Sequence, residues 1–316
     1  VTSKKQSAQW SKMQECGTFM GLSVMLWIYR IAGIRAMYFT LYFVVAFYFI
    51  GSTNARRSSL EYLRRMHAYR GSASPWKQRP GLRVSFAHFM TFARCACDKI
   101  IVWLGHYKPE DITLTGYEKY QTLKDNKTGC LLLVSHLGNI DLCRAFAGSF
   151  KDIPLTILVH NAHAPNFFKM MQKVARKNTT IDMIEVSEIT PDVIIRLREK
   201  IAAGENVAIA ADRTAVESDN RYEIIPFLGD DALFAQGPFI LADLLDCPVF
   251  SIFTMKEGQR YHAYFTYIAD TLKVDRKNRQ QEIRSHIKSY VEHLEYYAVK
   301  YPLQWFNFYP YWNKPE

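Results

Sequence analysis

His136 and Asp141 are the first residues whose types and spacing suit chemistry. They lie in "LLLVSHLGNIDLCRA", residues 131–145. The apolar run Leu131–Val134 reads as a buried strand, Gly138 and Asn139 as a turn, and a helical pattern follows. An imidazole at the lip of a strand can take a proton near neutral pH. Asn139 is placed to cap the helix, which puts Asp141 in its first turn. A carboxylate there is favoured by the helix dipole and free N–H groups, so it stays ionised. It can reach back to one ring nitrogen, fix the tautomer and leave the other nitrogen a better base. No nucleophile sits beside this pair. Ser135 faces the other way if the strand continues, because neighbouring strand side chains alternate. Cys143 falls deeper in the helix as packing. The attacking group is therefore expected to be a substrate hydroxyl or amine. A capping carboxylate beside a structural histidine would have the same spacing, so the pair alone does not decide.

Other candidates gather near the same edge. "NVAIAAD" (206–212) reads as a strand ending at Asp212-Arg213. A guanidinium there suits a phosphate or a developing oxyanion, with Asp212 orienting it; the plainer reading is a salt bridge between neighbours. Gly237-Pro238 opens a helix whose free N–H groups either face an anion or simply begin the helix. His160 lies at another strand end. With His163 it forms a pair three residues apart, but no Cys or acid is near, so no metal is expected. The six cysteines contain no C-x-x-C pair and mostly sit in apolar surroundings, as reduced thiols of a cytosolic compartment do.

The elements that must position these residues follow from periodicity. Short apolar or alternating runs at 112–116, 129–136, 154–160, 181–186, 206–212, 247–255 and 260–268 read as strands. Helical patterns lie between most of them, at 139–149, 165–177, 190–203 and 236–245, and a last helix spans 278–299 before an aromatic tail. Strands alternating with helices imply an α/β layer around a mostly parallel central sheet flanked by helices. Ligands of such sheets collect at strand carboxyl ends.

The front of the chain differs. Net charge is +10 overall, with +4 in residues 1–50, +7 in 51–83 and −1 in the remaining 233 residues. Residues 17–50 are apolar and divided by Arg30 and Arg35. The uncharged piece Ala36–Ile50 would cover roughly 22 Å as a helix, short of a hydrocarbon core of about 30 Å. The segment does not follow the pattern of a secretory signal. Buried helices of a soluble core are one reading. The other, favoured by the dense Tyr and Phe residues and the arginines that follow, is association with an anionic membrane surface, either in one leaflet or spanning. Residues 53–70 read as a basic amphipathic helix with Leu60, Leu63 and Met66 on one face, 71–81 as a loop, and 83–104 as another helix. The expected organisation is a membrane-associated apolar segment (1–52), basic amphipathic helices with their loop (53–110), and an α/β core (111–316).

"HLGNID" resembles the H-x4-D/E block of the glycerolipid and lipid A acyltransferases. "AIAADRTAVESDNRYEIIPFLGDDALFAQGPFILA" (208–242) resembles the later blocks of the lipid A secondary (lauroyl/myristoyl) branch, with Asp212-Arg213 and Pro226-Phe227-Leu228-Gly229 in the expected order. "CPVFSIF" (247–253) matches that branch's final strand. "WSKMQECG" (10–17) before an apolar helix is similar to its amino-terminal signature, including members encoded in aryl polyene lipid clusters. The resemblance spans nearly the whole chain. It implies transfer of an acyl chain from a thioester to a hydroxyl, with His136 as base and Asp141 orienting it. It further implies an acyl carrier protein or CoA donor as co-substrate, no bound cofactor, a membrane lipid or glycolipid acceptor, and the cytoplasmic face of a bacterial inner membrane. The "EGTRS" phosphate block of glycerol-phosphate acyltransferases is absent, which argues against glycerol 3-phosphate as acceptor. An arginine of the lipid A enzymes has only approximate counterparts in Arg176 or Lys177.

Two rivals follow from the residues themselves. Arginines with interleaved aromatics in 51–83 suggest a nucleic-acid binder, but the near-neutral body and the lack of a recognised module speak against nucleic acid. A Ser or Cys hydrolase on an α/β fold would need a G-x-S-x-G turn, which is missing. A membrane-bound structural protein without catalysis is the third possibility.

Overall fold

The computed structural model describes residues 19–103, 111–139, 154–159, 181–214, 221–275 and 277–312. The helical pattern at 139–149, beyond its first residue Asn139, and that at 165–177 lie outside the described residues.

Helix α1 (Phe19–Gly51) carries the apolar front, and α2 (Thr53–Arg70) follows after Ser52. The interval between Arg30 and Arg35 is where α1 breaks: Gly33 adopts φ 77°, ψ −178°, a conformation that glycine tolerates best. On α2 the buried stripe is Ala55, Ser58, Ser59, Tyr62, Leu63 and Met66. Leu60, expected on that face, is only half-buried. Helix α3 (Leu82–Trp103) packs on α1, joining Met37, Leu41 and Val45 to Phe89, Met90 and Cys97.

Several arginines of the basic stretch serve the fold. Arg56 donates to the Phe49 and Ile50 carbonyls at the end of α1. Arg65 pairs with Glu61 and Asp230 and stacks on Trp312. Arg70 donates to the Val299 carbonyl at 3.1 Å.

The α/β core follows as β1 (Ile112–Thr115), α4 (Glu118–Asp125), β2 (Leu131–Val134), β3 (Leu155–Val159) and β4 (Ile181–Glu185). It continues with α5 (Pro191–Ala202), β5 (Asn206–Ala210), β6 (Tyr222–Phe227), β7 (Asp230–Ala235), α6 (Gly237–Leu245), β8 (Val249–Glu257), β9 (Arg260–Ala269) and α7 (Arg279–Lys300). Seven strands form one sheet in the order β1-β9-β8-β2-β5-β3-β4. All neighbours in it are parallel except β8 and β9. The seven runs read as strands are these seven. Strands β6 and β7 form a separate antiparallel hairpin that the sequence reading did not contain, and α4 was likewise not expected.

Both sheet faces are covered, which explains the continuous apolar strands. Leu131 and Leu133 face a core built with α2, α5, α6, α7 and the carboxyl-terminal tail. Leu132 and Val134 face the opposite core with Phe250, Tyr261 and Phe265. Helix α7 docks through Ile283, Ile287, Tyr290, Val291, Leu294 and Ala298, at helical spacing.

Candidate active site

The chain leaves β2 for β3, on the far side of β5, and leaves β5 for β8, on the far side of β2. Strands β2 and β5 are neighbours whose connections lead to opposite sides of the sheet, and sheets of this kind gather ligands at the carboxyl ends of such strands. His136 and Asp212 stand there. Strands β2 and β5 run in register, with Val134 opposite Ala210, and the Ala211 N–H donates to the Val134 carbonyl at 2.9 Å. Two residues on, His136 Nδ1 donates to Asp212 Oδ1 at 2.9 Å, and the His136 backbone N–H donates to Oδ2 at 2.8 Å.

Asp212 is fully buried. Its Oδ2 also accepts the Trp305 indole N–H at 3.2 Å, and its carbonyl accepts the Tyr311 hydroxyl at 2.9 Å. Burial alone would raise its pKa. The charges of His136 and Arg213 and the hydrogen bonds from His136 outweigh that and hold the carboxyl at about 2. With Nδ1–H committed to an ionised acid, the neutral ring carries its basic lone pair on Nε2. The His136 side chain keeps 36% of its surface exposed, so it is reachable from outside.

The loop after His136 is held on both sides. Phe306 N–H donates to the His136 carbonyl at 3.0 Å, Gly138 N–H to Gln304 O at 2.8 Å, and Asn139 N–H to Thr254 O at 2.8 Å. Gly138 has φ 75°, and a Cβ there would lie 1.9 Å from the Thr254 carbonyl oxygen. Only glycine fits this crossing. Asn139 is buried and donates to the Tyr261 hydroxyl at 3.4 Å. Its role as helix cap concerns a helix outside the described residues, as does Asp141. His160, His163, Cys143, Arg176 and Lys177 lie outside them too.

Arg213 is half-buried beside this pair, donates to the Phe306 carbonyl at 2.9 Å and sits 5.4 Å over the Tyr309 ring. Asp212, expected to orient Arg213, gives both carboxylate oxygens to His136, and one of them also to Trp305. Gly237 opens α6 in exposed surroundings, and among the described residues no hydrogen bond joins it to His136. Ser135 is buried, and its oxygen accepts the Leu137 N–H at 3.1 Å. The described cysteines are buried thiols. Burial pushes Cys97 up to about 12 and Cys247 up to about 11, far from the thiolate a hydrolase needs. Among the described residues no three His, Cys, Asp or Glu side chains converge as metal ligands would.

Sequence reasoning missed Trp305 and Tyr311, which come from an aromatic tail 93 and 99 residues beyond Asp212. It also missed a buried network behind the loop. Asp98 on α3 pairs with Lys256 on β8 and accepts hydroxyl protons from Tyr38 and Tyr261, each at 2.6 Å. Tyr261 is the residue that Asn139 contacts, so the network reaches from α1 to the loop.

No curated protein sequence matches the chain. A family model for bacterial lipid A biosynthesis acyltransferases matches residues 4–314, taking in the strands, the His136 loop and the aromatic tail together. The chain belongs to the bacterial lipid A biosynthesis acyltransferase family.

Proposed function

We propose that the protein moves a fatty acyl chain from a phosphopantetheine thioester to a hydroxyl of a membrane lipid or glycolipid, with His136 as general base. The observation that carries this reading is the 2.9 Å contact between His136 Nδ1 and Asp212, at the carboxyl ends of two adjacent parallel strands.

His136 Nε2 accepts the proton of the acceptor hydroxyl as its oxygen attacks the thioester carbonyl carbon. The carbon–oxygen bond forms and the carbonyl electrons move to oxygen. The tetrahedral anion collapses, the carbon–sulfur bond breaks, and the thiolate takes the proton back from Nε2. The products are an ester and a free thiol. Asp212 stays a carboxylate throughout, stabilising the imidazolium and holding its tautomer. Asp141, five residues after His136 in the segment that resembles the H-x4-D/E block, is proposed to support the same ring. Arg213 is proposed to stabilise the anion or to hold an acceptor phosphate; Asn139 and Gly237 are lesser candidates for that task. No step needs a covalent enzyme intermediate, because a thiolate leaves readily.

The donor is acyl carrier protein or acyl-CoA. The former is acidic and would be steered by the excess of base in residues 51–83. The place of work is the cytoplasmic face of a bacterial inner membrane. The test is mass spectrometry of lipids from cells carrying the active protein or His136→Ala. A lipid that loses one acyl group only in the variant cells identifies the acceptor and the chain. Identical lipid profiles in the two strains would remove this function.

A further inference from the structure

The geometry points to α1 lying along one leaflet of a bilayer, with its outer face in the lipid and its inner face on the protein. This rests on the reading that the enzyme works on a membrane lipid. By length and composition, Val24–Gly51 is apolar enough to cross a bilayer. A crossing helix, however, needs lipid or apolar protein around its middle.

The middle of this stretch meets charge instead. Tyr38, near its centre, donates to Asp98, which pairs with Lys256 of the central sheet. The Arg94 guanidinium lies 5.5 Å from the Tyr38 ring and 5.8 Å from that of Tyr42. A crossing α1 would therefore carry an arginine and an ion pair of the globular body to mid-membrane depth. Charged groups are strongly disfavoured at that depth. Gly33 breaks the helix in the same stretch, and exposed Arg30 and Arg35 flank the break.

The two faces of α1 are sharply unlike. Met37, Leu41 and Val45 are buried against α3, and the Phe49 ring meets Phe86 and Phe89 edge-on at 5.4 and 5.0 Å. On the outer face, Phe39, Phe43, Phe47 and Ile50 follow at three- and four-residue steps, with Phe47 83% exposed. Phe92 of α3 is exposed as well. Such a stripe suits immersion along its length rather than end to end. At its far end Arg56 closes the carbonyls of Phe49 and Ile50, and exposed Arg57 follows, both at the level expected of anionic headgroups.

The experiment uses the full chain in vesicles of phosphatidylethanolamine and phosphatidylglycerol, with Cys16 and Cys143 replaced by serine. Phe39→Cys, Phe43→Cys, Phe47→Cys and Ile50→Cys are labelled one at a time with a small fluorophore. Quenching is compared between nitroxides near the headgroup and near the bilayer centre. Equal, shallow depths at all four sites are expected. A steady change of depth along the series, up to about 16 Å over eleven residues of helix, would overturn the one-leaflet arrangement while keeping the membrane reading. Quenching by neither lipid overturns both the arrangement and the membrane reading, yet leaves acyl transfer measurable with a detergent-dispersed acceptor.

Discussion

His136 and Asp212 stand two residues past the ends of neighbouring parallel strands, at the separation of 76 residues that already pairs Val134 with Ala210. The register of β2 on β5 therefore builds the pair, and no local segment contains it. An aspartate at this position fixes the ring by accepting Nδ1–H, which an amide cannot do as an anion.

Asp212→Asn is expected to lower kcat by about 10²–10⁴-fold, the usual worth of a positioned base. The KM for donor and acceptor should change little, because neither need touch Asp212. Steady-state kinetics on the folded variant check this. Turnover within about twofold of the parent, the scatter of an ordinary neutral substitution, would show that His136 is oriented by something else.

The same carboxylate makes stability depend on acid. Its pKa falls from 3.8 unfolded to about 2 folded, because attraction to His136 and Arg213 and the hydrogen bonds overcome the cost of burial. The folded value is the lower one, so the stabilisation is complete above about pH 4 and vanishes as pH falls through about 2. It amounts to roughly 2 kcal/mol. Urea midpoints measured from pH 5 to pH 2 should fall more steeply for the parent than for Asp212→Asn. Parallel slopes would mean that Asp212 is not held ionised by its partners.

Trp305 reaches the pair from the tail through an indole N–H 3.2 Å from Asp212 Oδ2, with its ring packed against Tyr62, Phe227 and Tyr311. Trp305→Phe keeps most of the packing and removes the donor. A loss of about 1 kcal/mol in stability is expected. A fall of about tenfold in kcat, equivalent to 1.4 kcal/mol, is expected at unchanged KM. If stability falls and kcat does not, Trp305 serves packing alone.

What could be read in the sequence divides along one physical line. The strand ending at His136 was legible because its periodicity is local, and so were α2 and the helix pattern of α7. Asp212 is legible as a strand-end carboxylate, but local sequence points to the adjacent Arg213 as its partner, whereas the fold gives it His136. Which strand lies beside β2 is decided by packing across the whole sheet. The hairpin of β6 and β7 hid for another reason. Its turn is Leu228-Gly229, with φ 54° and 85°, where the usual signal is Asn or Asp before Gly. A leucine in the left-handed region gives no such cue, and Pro226 within β6 argues against a strand. Gly33 gives no cue of its own, because it sits in an apolar run that Arg30 and Arg35 already divide by charge.

Gly138 gives a sharper test of the loop that carries His136. Both its positive φ and the Thr254 carbonyl oxygen, 1.9 Å from where a Cβ would stand, oppose any side chain. The oxygen belongs to the backbone of β8 and has little room to retreat. Gly138→Ala should destabilise by roughly 1–3 kcal/mol from the backbone conformation alone, with a further cost for the clash. It should also abolish transfer by displacing the loop from Thr254 and Gln304. A variant with parental melting temperature and kcat would contradict this account of the crossing.

The ion pair of Asp98 and Lys256 predicts an asymmetric coupling. Asp98 is fully buried, whereas Lys256 keeps 23% of its side-chain surface. Lys256→Met leaves a carboxylate in the interior with only the two tyrosine hydroxyls, and should cost about 3–5 kcal/mol. Asp98→Asn leaves an ammonium that can turn toward water and an amide oxygen that still accepts from Tyr38 or Tyr261, so it should cost less, about 1–3 kcal/mol. Combining the two removes the stranded charge, and the double variant should be more stable than Lys256→Met alone. Urea unfolding of the four proteins forms the cycle. Simple additivity would mean the two charges do not depend on each other, and the link from α1 through Asp98 and Tyr261 to the Asn139 loop would then rest on the tyrosines alone.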